Sequence, residues 1–223
     1  MPLPRTELPQ HRRRPAAAQL GGPEGNERLT ALVGATLLVL FAAEGVTLLR
    51  LGRLLYWHYF LGFLLVAPVC LKIASTVYRF TRYYTRHEPY LRKGPPHPLL
   101  RIVGPFIVLS TIVVIGTGVL LGLQKQPHVY LGFSLLLLHK LSFVGWAALM
   151  TVHVLAYLPR LPQLLTADLH TGRGGRSGGA DRIAGAVSAV GGRSLRYSLL
   201  ALALGAGLIL AEWGAQLSSS WHR

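Results

Sequence analysis

The chain has 223 residues, 51% hydrophobic and only 14% charged, which excludes the profile of a water-soluble domain and reads as a polytopic membrane protein. Its formal charge of +15 would suit nucleic acid, but the basic residues lie between apolar runs instead of forming one stripe, so nucleic acid is excluded as partner and they read as topology signals. The single cysteine, Cys70, falls inside an apolar run and leaves no disulfide framework and no C-x-x-C motif.

Residues 1–27 are rich in Pro, Arg, Gly and Ala without periodicity and read as a disordered cytoplasmic leader with no obvious cleavable signal. The first predicted span, Leu29 to Leu49, is longer than a signal-peptide core and is taken as retained. The second runs from Leu54 to Phe80, the third from Ile102 to Leu123 and the fourth from Val129 to Leu158. A Gly- and Arg-rich stretch, Thr171 to Arg196, precedes a fifth, Leu199 to Leu217. Each reaches the ~20 residues needed to cross the hydrocarbon core. The expected fold is all-α: a transmembrane four-helix bundle over 28–160, a cytoplasmic linker over 161–197, and a fifth transmembrane helix with an external tail over 198–223.

Lysine and arginine set the orientation. The leader with Arg28, the second-to-third connection with Arg79 at the end of span two, and the fourth-to-fifth connection hold 5, 6 and 6 of them, against 2, 1 and 1 in the first-to-second connection, the third-to-fourth connection and the C-terminus. That asymmetry places the N-terminus in the cytoplasm and the C-terminus outside. Spans two and four are then parallel.

Three histidines lie within spans: His58, His139 and His153. Ionisable residues in hydrocarbon need a partner and are functional-site hypotheses by default. His139 and His153 fall within ~40° of one helical face and ~21 Å apart along it, one near each side of the bilayer. Because spans two and four are parallel, His58 meets His139 near the outer surface. At the level of His153, span two offers Lys72, not a histidine. A b-type haem in a bundle takes two axial imidazoles from different helices, small residues where the porphyrin nears the backbone, and cations for its propionates. Gly62 lies one turn beyond His58, Gly132 lies two turns before His139, and Arg50 and Arg53 occupy the short outer loop. With no C-x-x-C-H motif, such a haem is held without covalent attachment.

Blander readings stand beside this one. His58 belongs to an interfacial aromatic cluster with Tyr56, Trp57 and Tyr59, and the other two histidines can serve helix–helix hydrogen bonds. Lys72 is expected to snorkel to the cytoplasmic headgroups, and Lys140 to reach a propionate or pair with Glu44. The remaining histidines, His87 among them, are read as solvated. The segment Tyr78 to Arg101 interleaves aromatic and basic residues, which suits anionic lipid headgroups. A haem-free scaffold and a small transporter lined by Glu44, Lys72 and Lys140 are the competing functions.

The fourth span, LLLLHKLSFVGWAALMTVHVLAYL, with the start of the second, LLYWHYFLGFLL, resembles the bacterial cytochrome b561 group of membrane b-type cytochromes, akin to the cytochrome b subunits of hydrogenases and formate dehydrogenases. The likeness covers Leu29 to Leu158. It implies an electron-transfer subunit of a membrane oxidoreductase in the bacterial cytoplasmic membrane. His58 and His139 match the ligands of an outer haem b, and His153 matches one ligand of an inner haem. The other inner ligand of the group belongs near the start of span one, where this chain has Arg28, Leu29 and Thr30. One haem b is therefore expected, with quinone or a redox protein as partner beside the membrane lipids, and a homodimer or oxidoreductase complex as the assembly.

Overall fold

A computed structural model of the protein describes residues 22–92, 94, 98–124, 129–130, 132–163 and 179–217. The helices are α1 (Gly22–Leu48), α2 (Leu51–Tyr84), α3 (Glu88–Arg92), α4 (Pro98–Leu123), α5 (Leu135–Tyr157) and α6 (Gly179–Ala215), with α1 and α2 joined by a tight turn. Within five of them lie segments long and apolar enough to cross a membrane, so the expected all-α membrane fold is borne out. Most of each apolar segment faces outward: Val39 is 69% exposed and Ile209 74%. Such surface belongs against lipid, not water.

Three helices, α1, α2 and α6, share one core of Leu29, Val33, Leu37, Leu65, Val69 and Leu200. α4 and α5 form a hairpin that touches this trio sparsely. The fifth transmembrane helix, expected as an addition to the bundle, packs along α2 more extensively than any other pair does. Pro68 accounts for part of that. Having no N–H, it cannot donate to the Leu64 carbonyl one turn earlier. Gly207 of α6 meets that carbonyl so closely that a Cβ there would stand 2.5 Å from the oxygen. Below it, the Phe63 ring fills the place of a side chain at Gly214 and meets Trp213 edge-on, ring centroids 5.7 Å apart. Small residues let backbones approach in this way within membranes. Gly207→Leu is expected to separate α2 from α6, with an overpacking cost of about 1–3 kcal/mol because the obstacle is backbone. A lower thermal midpoint in detergent, with helix content retained at low temperature, checks it.

At the α3 end, α1 and α2 are laced by polar contacts. Asn26 Nδ2 donates to the Ser75 carbonyl (3.1 Å), and Thr30 Oγ1 pairs with Ser75 Oγ (3.1 Å). α3 caps this end through Tyr90, which is buried against Tyr78 and His87. Burial first, and then the Tyr78 phenol, push the Tyr90 hydroxyl up to about 12, so it stays a neutral phenol. The arginines among these tyrosines are engaged by them: Arg82 Nε donates to Tyr78 Oη (3.2 Å), and Arg101 Nε to Tyr84 Oη (3.0 Å).

Several bounds differ from expectation. α1 starts at Gly22, inside the segment read as leader, and α6 starts at Gly179, inside the segment read as linker. The fourth span does not begin at Val129. Two short antiparallel strands, β1 (Val129–Tyr130) and β2 (Phe133–Ser134), come first, with Gly132 at φ +79° in the turn. Positive φ there needs glycine. Ser134 then caps α5, its Oγ accepting from Leu137 N at 3.2 Å. The rest of the leader (1–21), the linker residues 164–178 and the tail 218–223 lie outside the described residues, as do His11, His97, His128, His170 and His222.

Candidate functional site

His58 is placed by a tight turn between α1 and α2. Arg53 N and Leu54 N both donate to the Arg50 carbonyl, and Leu54 leaves helical geometry (φ −110°, ψ 16°) before the helix runs on. One turn later the His58 ring faces α1. Its Nδ1 lies 2.9 Å from Glu44 Oε1 and 3.0 Å from Thr47 Oγ1. The Thr47 hydroxyl gives its own hydrogen to the Glu44 carbonyl, 2.5 Å away, so toward His58 it accepts. Both neighbours are acceptors, and the proton therefore sits on Nδ1. Nε2 keeps the lone pair. Gly62, one turn beyond, lies beside the carboxylate, and a Cβ there would meet Glu44 Oε1 in ordinary van der Waals contact at 3.6 Å. The other carboxylate oxygen, Glu44 Oε2, is buried without a partner among the described residues.

His139 is built in the same way on the facing hairpin. Its Nδ1 lies 3.0 Å from Thr117 Oγ1 of α4. That hydroxyl also lies 2.8 Å from the Val113 carbonyl and 3.1 Å from that of Val114, and whenever it donates to either it accepts from the ring. The Val114 carbonyl also lies within reach of the ring. Gly118 provides the clearance: a Cβ on it would stand 3.1 Å from His139 Cε1. His58 and His139 lie within electrostatic range of each other across the seam between the trio and the hairpin. Among the described residues, His58 Nε2 has no hydrogen-bond partner.

Glu44, Thr47, Thr117 and Gly118 thus join the expected histidines. Of these, only Glu44 stood out in the sequence, and for another partner. The G-T-G run at 116–118 is the signal that could have found the other side, since small residues flank a hydroxyl midway along an apolar helix.

The other expected residues divide. Arg50 and Arg53 are exposed and line an open recess at the α1–α2 turn with Leu51 and Gly52. Gly132 is a correction: it sits in the β1–β2 turn, before α5 begins, so it shares no helical face with His139. His153 is half-buried, its ring 4.8 Å from that of Tyr157, and it lies within electrostatic range of Lys72. Lys72 does not snorkel: its Nζ donates to the Thr30 carbonyl of α1 at 2.5 Å. Lys140 is exposed and does not pair with Glu44, whose partner is His58. Glu44, Lys72 and Lys140 therefore converge on no common path. His87 is not solvated but half-buried, with Nδ1 buried and unpartnered among the described residues.

No group of three or more His, Cys, Asp or Glu able to hold a metal ion occurs among the described residues. A haem iron needs less, since its porphyrin supplies the remaining donors. Two imidazoles from opposite sides of a seam, each with Nδ1 anchored beside an oxygen, fit that need. The Glu44 carboxylate, 2.9 Å from Nδ1 of one of them, is the kind of partner that orients ligating histidines. Compared with protein-family models, curated proteins and solved structures, the chain matches none.

Proposed function

We propose that this protein is an integral-membrane b-type cytochrome that carries electrons through one non-covalently bound haem b, with His58 and His139 as axial ligands. The observation that carries the reading is the shared anchoring of the two rings: each Nδ1 lies within hydrogen-bond distance of an oxygen on a neighbouring helix, an arrangement suited to a proton at Nδ1 and a coordinating Nε2. The resemblance of the histidine spacing to the cytochrome b561 group points the same way.

Bound haem supplies one-electron oxidation and reduction. The chain's own residues do the rest. Glu44 holds the Nδ1 proton of His58, which strengthens the imidazole as a donor, favours the oxidised state and lowers the potential. Thr117 does the same for His139 with a neutral acceptor, and so more weakly. Gly62 lies beside the carboxylate, and Gly118 keeps a side chain away from the His139 ring. Arg50 and Arg53 are the cations for propionates at the α1–α2 turn. His58 and His139 would both hold the iron, and two imidazole ligands suit electron transfer. A quinone or a redox protein is the partner, in the bacterial cytoplasmic membrane with the N-terminus inside, the side favoured by the basic connections.

A haem-free scaffold is the second reading, since the Glu44–His58 and Thr117–His139 bonds are also the kind that join helices. A reduced-minus-oxidised spectrum of the full chain, purified after haem-replete expression, separates the two. A b-type α band is expected; a flat spectrum favours the scaffold.

A further inference from the structure

The opposite half of the seam is built differently. Trp146 lies seven residues from His139 and seven from His153, midway between their levels. It is buried, donates through Nε1 to Thr111 Oγ1 of α4 at 3.0 Å, and packs on Phe41 of α1 with ring centroids 4.8 Å apart. Trio and hairpin are therefore in contact at mid-depth. Beyond that layer Lys72 reaches from α2 to α1. Its Nζ donates to the Thr30 carbonyl and lies 2.9 Å from where a Cβ on Gly34 would be, so Gly34 is the notch that receives it. The Thr30 and Asn26 bonds to Ser75 lace the same two helices just beyond.

His153 lies within electrostatic range of Lys72. An ammonium has three donors and no acceptor, so it offers iron no lone pair. Its charge also opposes a cationic centre placed beside the same imidazole. His153 and Lys72 do not fit a second haem.

We infer that Lys72, seated in the Gly34 notch, closes the His153 half of the bundle to a second haem, so that electrons enter and leave at the His58/His139 end. The inference rests on the haem reading above, and the test keeps the two apart. Haem per chain is measured as the pyridine haemochrome on the detergent-purified full-length protein. One haem is expected in the wild type and in His153→Ala. Two in the wild type, or a fall in His153→Ala while His58→Ala still holds one, overturns the inference.

A wild type without haem overturns the proposed function instead, and the seating of Lys72 is then read by amine acetylation followed by mass spectrometry. Lys72 is expected to react at least about tenfold more slowly than the exposed Lys140, because it must first leave its notch. Equal rates overturn the inference.

Discussion

His58→Ala and His139→Ala are each expected to remove the b-type absorption band from the purified protein, because the proposed haem, with no covalent attachment, would depend on both imidazoles for its retention. The two variants are expected to differ in stability. His58→Ala strands Glu44, whose Oε1 loses its ring partner while Oε2 already has none among the described residues. Leaving a buried acceptor unmade costs about 1–3 kcal/mol. His139→Ala strands nothing comparable, because the Thr117 hydroxyl keeps its bond to the Val113 or Val114 carbonyl. Thermal unfolding in detergent should therefore show the larger drop for His58→Ala, and the double variant His58→Ala with Glu44→Gln should recover part of it. Equal haem content in either histidine variant and the wild type would contradict the ligand assignment.

Glu44→Gln carries the second large effect. The carboxylate accepts the Nδ1 proton of His58 at 2.9 Å, and an amide of nearly the same shape accepts it far less strongly. Partners of this kind typically change metal affinity by about 10–100-fold when replaced. Glu44→Gln is expected to weaken haem retention within that range and to raise the midpoint potential, since a less electron-rich imidazole favours the oxidised iron less. Thr117→Val removes the neutral acceptor on the other ring and should move the potential in the same direction by less. A redox titration of both variants beside the wild type measures this, and an unchanged potential in Glu44→Gln would remove Glu44 from the site.

The spans were legible because apolar length alone marks a membrane helix, and the pairing of His58 with His139 was legible because parallel spans put equal depths side by side. What escaped depends on which face each helix turns to its neighbour. Lys72 could reach the headgroups or bend toward α1, and only the notch at Gly34 decides between them. Gly132 counts as two turns from His139 if the helix begins at Val129, and its turn conformation with the Ser134 cap removes it from that face. The docking of α6 rests on a carbonyl deprived of its donor by Pro68 and a glycine 139 positions later, a coincidence no periodicity carries. Thr117 and Thr47 were hidden because a hydroxyl in an apolar run most often bonds its own helix, and here each does that as well.

The most direct test of the central claim is the electron paramagnetic resonance spectrum of the oxidised, detergent-purified full chain. Two imidazoles on one iron predict a low-spin ferric signal that is lost in His58→Ala and in His139→Ala. A high-spin signal in the wild type, or a low-spin signal that persists in either variant, would contradict axial ligation by these two histidines.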